Sequence, residues 1–302
     1  MIGAATAPRV EPHVGAVRVR VHGIEIAVRS DVPGVIETVA RSYAAFLVEG
    51  DGRLAGDGAE WIVARRMTDG VELLHARGTR VVARDETGAI LGTLDRVVMA
   101  VLGALGERGI VGTHAAAVAI DGRAIVMAGQ SGAGKSTLTL ALLRDGAQLL
   151  TDELTLIAAD DRTVLPYPRA LHVSPATVDL LPELAFLHER PRQALGADSE
   201  WSVSTRDLER AFGATVAPPT PLAAVVLLDE RGRPDDPPTM LDVSGAETAI
   251  ALVRGTPAAA RDFGGALARL SPIVSAVPTF RLQATGLARS AAVIRERLAA
   301  IP

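Results

Sequence analysis

Apolar and polar residues alternate near the beginning of the chain. In residues 17–28 every second position is Val or Ile, with an interruption at Gly23. This is the period of a half-exposed strand, so the segment is predicted to form a β-hairpin. Further elements are predicted up to about residue 108: helices over 35–46 and 94–105, and short strands over 61–64, 71–74 and 79–82. Residues 1–108 are therefore predicted to be a small α/β domain, acting as a scaffold or recruiting a substrate.

From residue 109 onward, apolar strand patterns alternate with helical ones. A strand over 113–120, a turn at Asp121-Gly122 and a strand over 124–128 are followed by a helix from Ser136 and a short strand over 147–151. Residues 189–200 are predicted to be a polar loop. The remaining predicted elements are strands over 222–228 and 279–282 and helices over 174–184, 246–253 and 288–298. The pattern predicts a second α/β domain over residues 109–302.

Residues 129–137 match the phosphate-binding loop pattern G-x-x-x-x-G-K-[ST] in full. The motif has the required context, because a buried strand is predicted before it and a helix after it. Its glycines permit conformations in which successive N–H groups turn inward and, with the helix N-terminus, surround a polyphosphate. The predicted nucleotide-binding residues are Gly129, Ser131, Gly132, Ala133, Gly134, Lys135, Ser136 and Thr137.

Two acidic pairs are candidates for metal binding and proton transfer. Asp152 and Glu153 follow the predicted strand over 147–151, whereas Asp229 and Glu230 follow the strand over 222–228. Carboxylates at a strand end suit Mg²⁺ and can accept the proton of an attacking hydroxyl. Pattern alone favours the first pair, while an acidic exposed turn is the simplest explanation of the second.

Histidines and arginines add few further candidates. His114 begins the strand predicted over 113–120, which would pair with the strand leading into the loop and bring the imidazole near a nucleotide. Arg169 and Arg206 are either stabilisers of transferred phosphoryl charge or surface ion-pair residues. The other histidines are interpreted as ordinary core or surface residues because none has a second ligand at metal-like spacing: His13, His22, His75, His172 and His188.

Composition narrows the class of protein. The formal net charge of −4 and 3% aromatic residues disfavour a nucleic-acid surface. The absence of cysteine excludes disulfides and thiolate chemistry. No apolar run approaches the roughly 18 residues of a membrane helix, and the first residues lack the pattern of an export signal. A cytoplasmic protein without membrane or nucleic-acid partners is expected, and a homo-oligomer is left open.

The order of these features resembles a known family. His114 in a strand, a hairpin, the loop 129–137, a helix ending at Gly146 and the pair Asp152-Glu153 are similar to the catalytic domain of HPr kinase/phosphorylase and its shorter relatives. The region around the nucleotide also resembles phosphoenolpyruvate carboxykinase. The resemblance covers about residues 110–175 and includes a proline-containing strand at 167–173. It implies an α/β phosphate-loop kinase fold.

The resemblance also implies roles for individual residues. It favours Asp152-Glu153 over the second acidic pair, with one carboxylate as the base that activates a serine hydroxyl and His114 close to it. The chain departs from HPr kinases at Thr137, where they usually have Glu, and it lacks their E-x-R-G-x-G signature. It is therefore interpreted as an HPr kinase relative that does not phosphorylate HPr. Relatives without the signature include kinases of free serine and of peptide natural-product precursors.

The sequence thus predicts an ATP- and Mg²⁺-dependent kinase that phosphorylates a hydroxyl, expected to be that of serine in a free, peptide or protein setting. Lys135 and the loop amides would hold the phosphates. The Mg²⁺ would be held by Ser136 and Glu153, with Asp152 as a further candidate ligand. Asp152 would accept the proton, assisted by His114. Signatures of transport ATPases and GTPases are absent from the sequence. A catalytically silent nucleotide-binding module is the alternative.

Overall fold

A computed structural model describes residues 15–49, 60–76, 78–194, 199–229, 232–233, 235–256, 259 and 262–301. The chain divides into two compact units, Met1–Glu107 and Arg108–Pro302. Both units combine helices with sheets, so the protein belongs to the mixed α/β class. His13 and Glu230, which were considered as candidates from the sequence, lie outside the described residues.

The first unit is a five-stranded sheet covered by helices, with the strands in the order β1-β2-β3-β4-β5. The predicted hairpin is confirmed as the antiparallel pair β1–β2, and only β2 and β3 run parallel among the paired strands described here. The elements are β1 (Gly15–Val21), β2 (Ile24–Ser30), α1 (Pro33–Ser42), β3 (Glu60–Met67), β4 (Gly70–His75), β5 (Arg80–Ala83) and α2 (Glu86–Gly106).

Helix α2 begins earlier than the apolar pattern predicts, because Asp85 caps it by accepting a 2.7 Å hydrogen bond from the N–H of Gly88. By length and composition alone it could cross a membrane, and it is the one helix in the described part of the chain of which this is true. The core helix of a soluble protein meets the same criterion. In α2, seven residues between Ala89 and Leu105 are buried within the unit.

The second unit contains a nine-stranded mixed sheet and a separate three-stranded sheet. In chain order the strands are β6 (Ile110–Thr113), β7 (Ala116–Ile120), β8 (Arg123–Ala128), β9 (Gln148–Thr151), β10 (Thr155–Ala158), β11 (Thr163–Leu165), β12 (Leu171–Val173), β13 (Gln193–Ala194), β14 (Ser199–Val203), β15 (Thr220–Leu228), β16 (Thr239–Asp242) and β17 (Thr279–Gln283). The helices are α3 (Lys135–Arg144), α4 (Pro175–Leu180), α5 (Thr205–Phe212), α6 (Gly245–Arg254), α7 (Phe263–Ser275) and α8 (Leu287–Ala299). A 3₁₀-helix spans Pro182–Glu189.

Apolar cores cover both faces of the large sheet. On β8, Ile125 and Met127 belong to one core together with residues of α3 and α8. Ala124 and Val126 point the other way and belong to a second core with residues of α6 and α7. Because successive side chains of a strand face opposite sides, a strand buried on both faces is apolar throughout. The result is a three-layer arrangement of helices, sheet and helices.

The strand directions bring several chain segments to one edge of this sheet. Strands β8, β15 and β17 are parallel neighbours, so their carboxyl ends lie together. Strand β7 is antiparallel to both β8 and β9. The beginning of β7 and the end of β9 therefore lie at the same edge as the end of β8. The segments that meet there are the loop after Ala128, the residues before Ala116 and the residues after Thr151.

Several features differ from the sequence predictions, and strands β6, β10, β11, β13 and β16 were not predicted. The strand predicted over 113–120 is interrupted at His114, whose N–H donates to the carbonyl of Gly255 at 2.7 Å instead of continuing a ladder. Strand β14 occupies the end of the segment predicted to be a polar loop. Helices α5 and α7 were not predicted; α7 contains two glycines in its first turn and Pro272 in its interior, which weaken a helical signal.

Candidate functional site

The phosphate-binding loop leaves β8 and enters α3. Gly132 and Gly134 have φ angles of 81° and 97°, which non-glycine residues rarely adopt. A Cβ at Gly129 would lie 3.1 Å from the carbonyl oxygen of Leu228, so this position allows the loop to pack closely on the end of β15. The N–H of Ala133 donates to the carbonyl of Gln130 at 3.2 Å. The glycines therefore occupy positions where the loop requires them.

Lys135 is the only lysine in the 302 residues. It is 8% exposed, and its ammonium group donates to the carbonyl oxygens of Gly129 and Gln130 at 3.0 and 3.2 Å. Burial lowers the pKa of Lys135, although the charges of Asp152 and Glu153 oppose this shift. The side chain of Lys135 thus bends back over its own loop. A phosphate oxygen can replace the two carbonyl oxygens as the acceptor of its hydrogen bonds.

The first turn of α3 is linked to the end of β9 through a side-chain hydrogen bond. The hydroxyl of Ser136 donates to Oδ2 of Asp152 at 2.7 Å. The other oxygen of Asp152, Oδ1, is buried and has no hydrogen bond of ordinary geometry among the described residues; the nearby hydroxyl of Thr139, which also lacks one, lowers the pKa of Asp152. A buried acceptor without a partner is costly, so this oxygen is suited to a proton or to a cation supplied from outside the chain.

The carboxyl group of Asp152 has an unusual proton affinity. Burial is the main cause that raises the pKa of Asp152 from 3.8 to about 6; the negative charge of Glu153 acts in the same direction, and the hydrogen bond from Ser136 opposes both. A carboxylate with a pKa near 6 is ionised at neutral pH and accepts a proton more readily than an ordinary aspartate. Asp152 therefore has the proton affinity expected of a general base.

Glu153 is more exposed than Asp152 and forms an ion pair. One oxygen of Glu153 lies 3.0 Å from a guanidinium nitrogen of Arg169, whose side chain is 8% exposed, whereas that of Glu153 is 48% exposed. Arg169 lies in the irregular segment just before β12, and its N–H donates to the carbonyl of Tyr167 at 2.9 Å. The structure thus places Arg169 beside the acidic pair, whereas Arg206 is exposed on α5. Neither arginine is among the residues that line the cleft described below.

His114 lies at the mouth of the same cleft and remains accessible to solvent. Its pKa is lowered, first by desolvation and then by the positive charge of Lys135, and Glu153 opposes this shift. The imidazole is therefore neutral at physiological pH and can act as a hydrogen-bond donor or acceptor.

These residues line a cleft of about 520 Å³. Opposite the loop, the wall is formed by β12 and β14, which pair antiparallel with His172 facing Ser202. Leu171, Val173, Trp201 and Val203 of these strands are buried, whereas the alternate residues are partly exposed. The cleft is lined by His114, Ser131, Gly132, Gly134, Lys135, Ser136, Thr137, Asp152, Glu153, Ala170, His172, Ser174, Thr177 and Glu200.

A chain of hydroxyl groups connects this wall to α3. The hydroxyls of Thr137 and Thr177 lie 2.8 Å apart, and that of Ser174 lies 3.2 Å from Thr177. Ser174 also caps α4 by accepting from the N–H of Thr177. Thr137, predicted as a nucleotide contact, therefore also ties the first turn of α3 to α4.

An apolar pocket of about 260 Å³ lies on the other side of the loop. The loop residues Ala133 and Gly134 contribute to it, together with the start of α3 and the segment between β17 and α8. Its lining is Ala133, Gly134, Thr137, Leu138, Leu180, Leu228, Gly232, Ala284, Thr285, Gly286, Leu287 and Ser290. A narrow apolar pocket next to a phosphate-binding loop suits a flat aromatic base.

The donor set fits Mg²⁺ better than a transition metal. The described residues contain no cluster of three His, Cys, Asp or Glu side chains that could enclose a metal ion. Mg²⁺ is commonly held by one or two carboxylates, a hydroxyl, water and substrate phosphates. The Ser136 hydroxyl, the unpartnered Oδ1 of Asp152 and the exposed carboxylate of Glu153 supply such ligands.

The competing acidic pair is placed differently. Asp229 forms an ion pair with Arg281 at 3.3 Å and is not among the residues lining the cleft. Of the remaining histidines, His75 lies 3.3 Å from Glu60 in the first unit, and His188 contacts the ring of Trp201 edge-on. Of the two candidate acidic pairs, Asp152 and Glu153 line the cleft and the described member of the other pair, Asp229, does not.

Several cleft residues were not identified as candidates from the sequence: His172, Ser174, Thr177 and Glu200. Polar residues alternating with buried ones in 171–174 and 199–203 were the available signal. His172 on β12 and Glu200 on β14 come to the same wall only through the pairing of these two strands, which are distant in the sequence. Recognising them from sequence would have required knowing this pairing.

Comparisons with known proteins give little further information. No family model matches the chain, and no curated protein matches it. Among solved structures, the chain is similar to the Hpr(Ser) kinase/phosphatase from Coxiella burnetii, with 16% identity over 62% of this chain and 97% of that chain and a TM-score of 0.31. This is a distant structural neighbour, and values this low are no basis for inferring an activity.

Proposed function

We propose that this chain is an ATP- and Mg²⁺-dependent kinase that transfers the γ-phosphoryl group to a hydroxyl, with serine as the preferred acceptor in free, peptide or protein form. The observation that carries the proposal is the direct hydrogen bond between Ser136 in the phosphate-binding loop and Asp152, a carboxyl group with a raised pKa. The loop lysine and Glu153 line the same cleft. An aspartate bonded to the loop serine can hold Mg²⁺, and the raised pKa of Asp152 additionally suits it to take a proton, which binding of nucleotide alone does not need.

The nucleotide would span the loop. Backbone N–H groups of residues 129–137 and the ammonium group of Lys135 would hold the phosphates, and the apolar pocket beside Ala133 and Leu138 would hold the base. In this proposal residues 109–302 are the kinase part, and residues 1–108 serve as a scaffold or recruit the acceptor. The proposed setting is the cytoplasm, where ATP and Mg²⁺ are present.

The hydroxyl group would react at the opposite side of the cleft. Its oxygen forms a bond to the γ-phosphorus while the bond from that phosphorus to the β,γ-bridging oxygen breaks, and ADP leaves. Asp152 takes the hydroxyl proton, and the neutral His114 orients the hydroxyl or the carboxylate by a hydrogen bond. Ser136 and Glu153, with Asp152 adjacent, would hold Mg²⁺, which would supply positive charge against the phosphates.

Arg169 adds positive charge close to this point. Its guanidinium group lies 3.0 Å from the carboxylate of Glu153, which lines the cleft. Positive groups near a transferred phosphoryl group stabilise the charge that spreads over its oxygens. Arg169 is therefore proposed as an electrostatic contributor in addition to Lys135.

A labelling experiment tests the proposal against the alternative of a silent nucleotide-binding module. Purified protein is incubated with γ-labelled ATP and Mg²⁺ and with free serine, free threonine, serine peptides or cell extract. Transfer of label to an acceptor by the wild type but not by Lys135→Ala supports a kinase and identifies its acceptor class. Tight ATP binding without transfer to any acceptor would contradict the kinase and favour the binding module.

A further inference from the structure

The wall opposite the phosphate-binding loop carries an unpaired carboxylate. Glu200 lies on β14, lines the cleft and is partly exposed. Among the described residues no ion pair or side-chain hydrogen bond involves Glu200. It differs in this respect from Glu153, which is paired with Arg169.

The pairing of β12 and β14 explains why Glu200 faces the cleft. Trp201 on β14 is buried opposite Val173, so Glu200, the preceding residue of β14, points to the other side of the small sheet. Ser174, directly after β12, also lines the cleft. His172 lies on the same side, and its Nε2 is buried without a hydrogen-bond partner among the described residues. The wall thus presents a carboxylate, a hydroxyl and an unsatisfied imidazole nitrogen.

This carboxylate is unfavourable for the proposed nucleotide. A triphosphate carries several negative charges, and an unpaired carboxylate in the same cleft repels it, the more so because water is partly excluded. The negative charge of Glu200 is compensated when the hydroxyl acceptor places a positive charge beside it. The neighbouring His172 does not supply that charge, because burial lowers its pKa.

We infer that Glu200 selects a hydroxyl acceptor that carries an ammonium or guanidinium group close to the reacting hydroxyl. Ser174 and the free Nε2 of His172 would provide neutral hydrogen bonds to the same part of the acceptor. This inference rests on the proposed kinase function and narrows its acceptor class. It assigns the wall formed by β12 and β14 to acceptor binding.

The experiment compares acceptors that differ only in charge. Serinamide is paired with N-acetylserinamide, and a peptide with arginine beside serine is paired with the same peptide containing citrulline. The variants are Glu200→Gln, which removes the charge at nearly constant shape, and Glu200→Lys, which reverses it. Glu209→Gln, at an exposed position of α5 outside the cleft, is the matched control.

The wild type and Glu209→Gln should show a kcat/KM for each cationic acceptor roughly tenfold or more above that of its neutral partner, as expected for a charge-assisted hydrogen bond. Glu200→Gln should reduce this preference to within about threefold, mainly by raising the KM of the cationic acceptor. Its KM for ATP should not rise, because the substitution removes a negative charge that repels the triphosphate. Glu200→Lys should favour a peptide with glutamate beside serine.

Phosphoryl transfer that shows no preference for cationic acceptors, or the same preference in Glu200→Gln as in the wild type, would overturn the inference. The proposed kinase function would still stand. If no acceptor is phosphorylated, binding is measured with Mg²⁺ and a non-hydrolysable ATP analogue. Binding of serinamide over N-acetylserinamide by the wild type but not by Glu200→Gln would then support the inference while contradicting the kinase. Absence of that selectivity would overturn the inference as well.

Discussion

The hydroxyl of Ser136 donates a 2.7 Å hydrogen bond to Oδ2 of Asp152, joining the first turn of α3 to the end of β9. The two residues are sixteen positions apart in the chain. They meet because β9 runs in the same direction as β8, with β7 between them. A change at either residue should therefore affect both the loop and the acidic pair.

The first prediction concerns the stability of the protein without nucleotide. The pKa of Asp152 is raised from 3.8 to about 6, so the folded state holds this proton more strongly than the unfolded state. The contribution of Asp152 to the free energy of unfolding should therefore decrease progressively as the pH rises from about 4 to 6. Asp152→Asn should be more stable than the wild type at pH 7.5, by up to about 3 kcal/mol, with little difference near pH 4.

Urea unfolding of both proteins at the two pH values measures this difference. The asparagine amide oxygen can still accept the hydrogen bond from Ser136, so the substitution removes the charge without removing the acceptor. A variant that is less stable than the wild type at pH 7.5, or a difference that does not change with pH, would contradict the account of Asp152.

The second prediction uses the single lysine. An amine-selective acylating reagent should modify Lys135 and the α-amino group and no other side chain, because the chain has no other lysine. The lowered pKa of Lys135 increases the fraction of reactive neutral amine. Mg²⁺ and ATP should protect Lys135, as mass spectrometry of the digested protein would show. Equal modification with and without ATP would place the nucleotide elsewhere.

Lys135→Ala should weaken ATP binding by roughly 10- to 100-fold, the loss expected for a charge-assisted contact with phosphate. Arg144→Ala is the control, because Arg144 lies at the end of α3 and pairs only weakly with Asp145, at 3.4 Å. Calorimetric titration with ATP compares the two variants. A similar loss in both would indicate a general effect on α3.

A third prediction separates metal binding from nucleotide binding. Glu153→Gln should raise the Mg²⁺ concentration for half-maximal activity by roughly 10- to 100-fold, because it removes an ionised ligand. It should also move the acid limb of the pH–rate profile to lower pH, since the charge of Glu153 raises the pKa of Asp152. Glu183→Gln, at an exposed position, should change neither quantity. An acid limb of the pH–rate profile that moves to higher pH in Glu153→Gln would contradict the claim that the charge of Glu153 raises the pKa of Asp152.

A fourth prediction tests the apolar pocket as the base site. Ala284 is half-buried at the pocket wall, and Ala284→Phe should fill much of the 260 Å³ space. ATP affinity should fall by about tenfold or more, whereas tripolyphosphate, which has no base, should bind as before. Ala288→Phe, at an exposed position of α8, is the control. An equal loss for ATP and tripolyphosphate would indicate damage to the loop instead.

The sequence predicted the elements around the loop well because they have strong local signals. The glycine pattern of residues 129–134 and the apolar strand before it determine the turn into α3 without help from distant residues. The end of β9 was also predicted, and the topology brings Asp152 to the loop. The two α/β domains and the roles of individual residues remain predictions.

Other features depend on contacts between distant segments. His114 leaves the strand pattern because the carbonyl of Gly255, at the end of α6, takes its N–H. Arg169 is isolated in the sequence, and its neighbour Glu153 is known only from the fold. Glu200 acquires its position through pairing between strands separated by the 3₁₀-helix Pro182–Glu189. Local patterns carry no information about such pairings.

The most direct test of the proposed mechanism measures transfer and nucleotide affinity on the same preparations of wild type and Asp152→Asn. With Mg²⁺, γ-labelled ATP and the acceptor found in the labelling experiment, single-turnover transfer should fall by about 10²–10⁴-fold in the variant, the usual contribution of a general base. The dissociation constant for ATP should change by less than about threefold, within the range expected when no phosphate contact is removed. An Asp152→Asn protein that retains full transfer would contradict the assignment of Asp152 as the base.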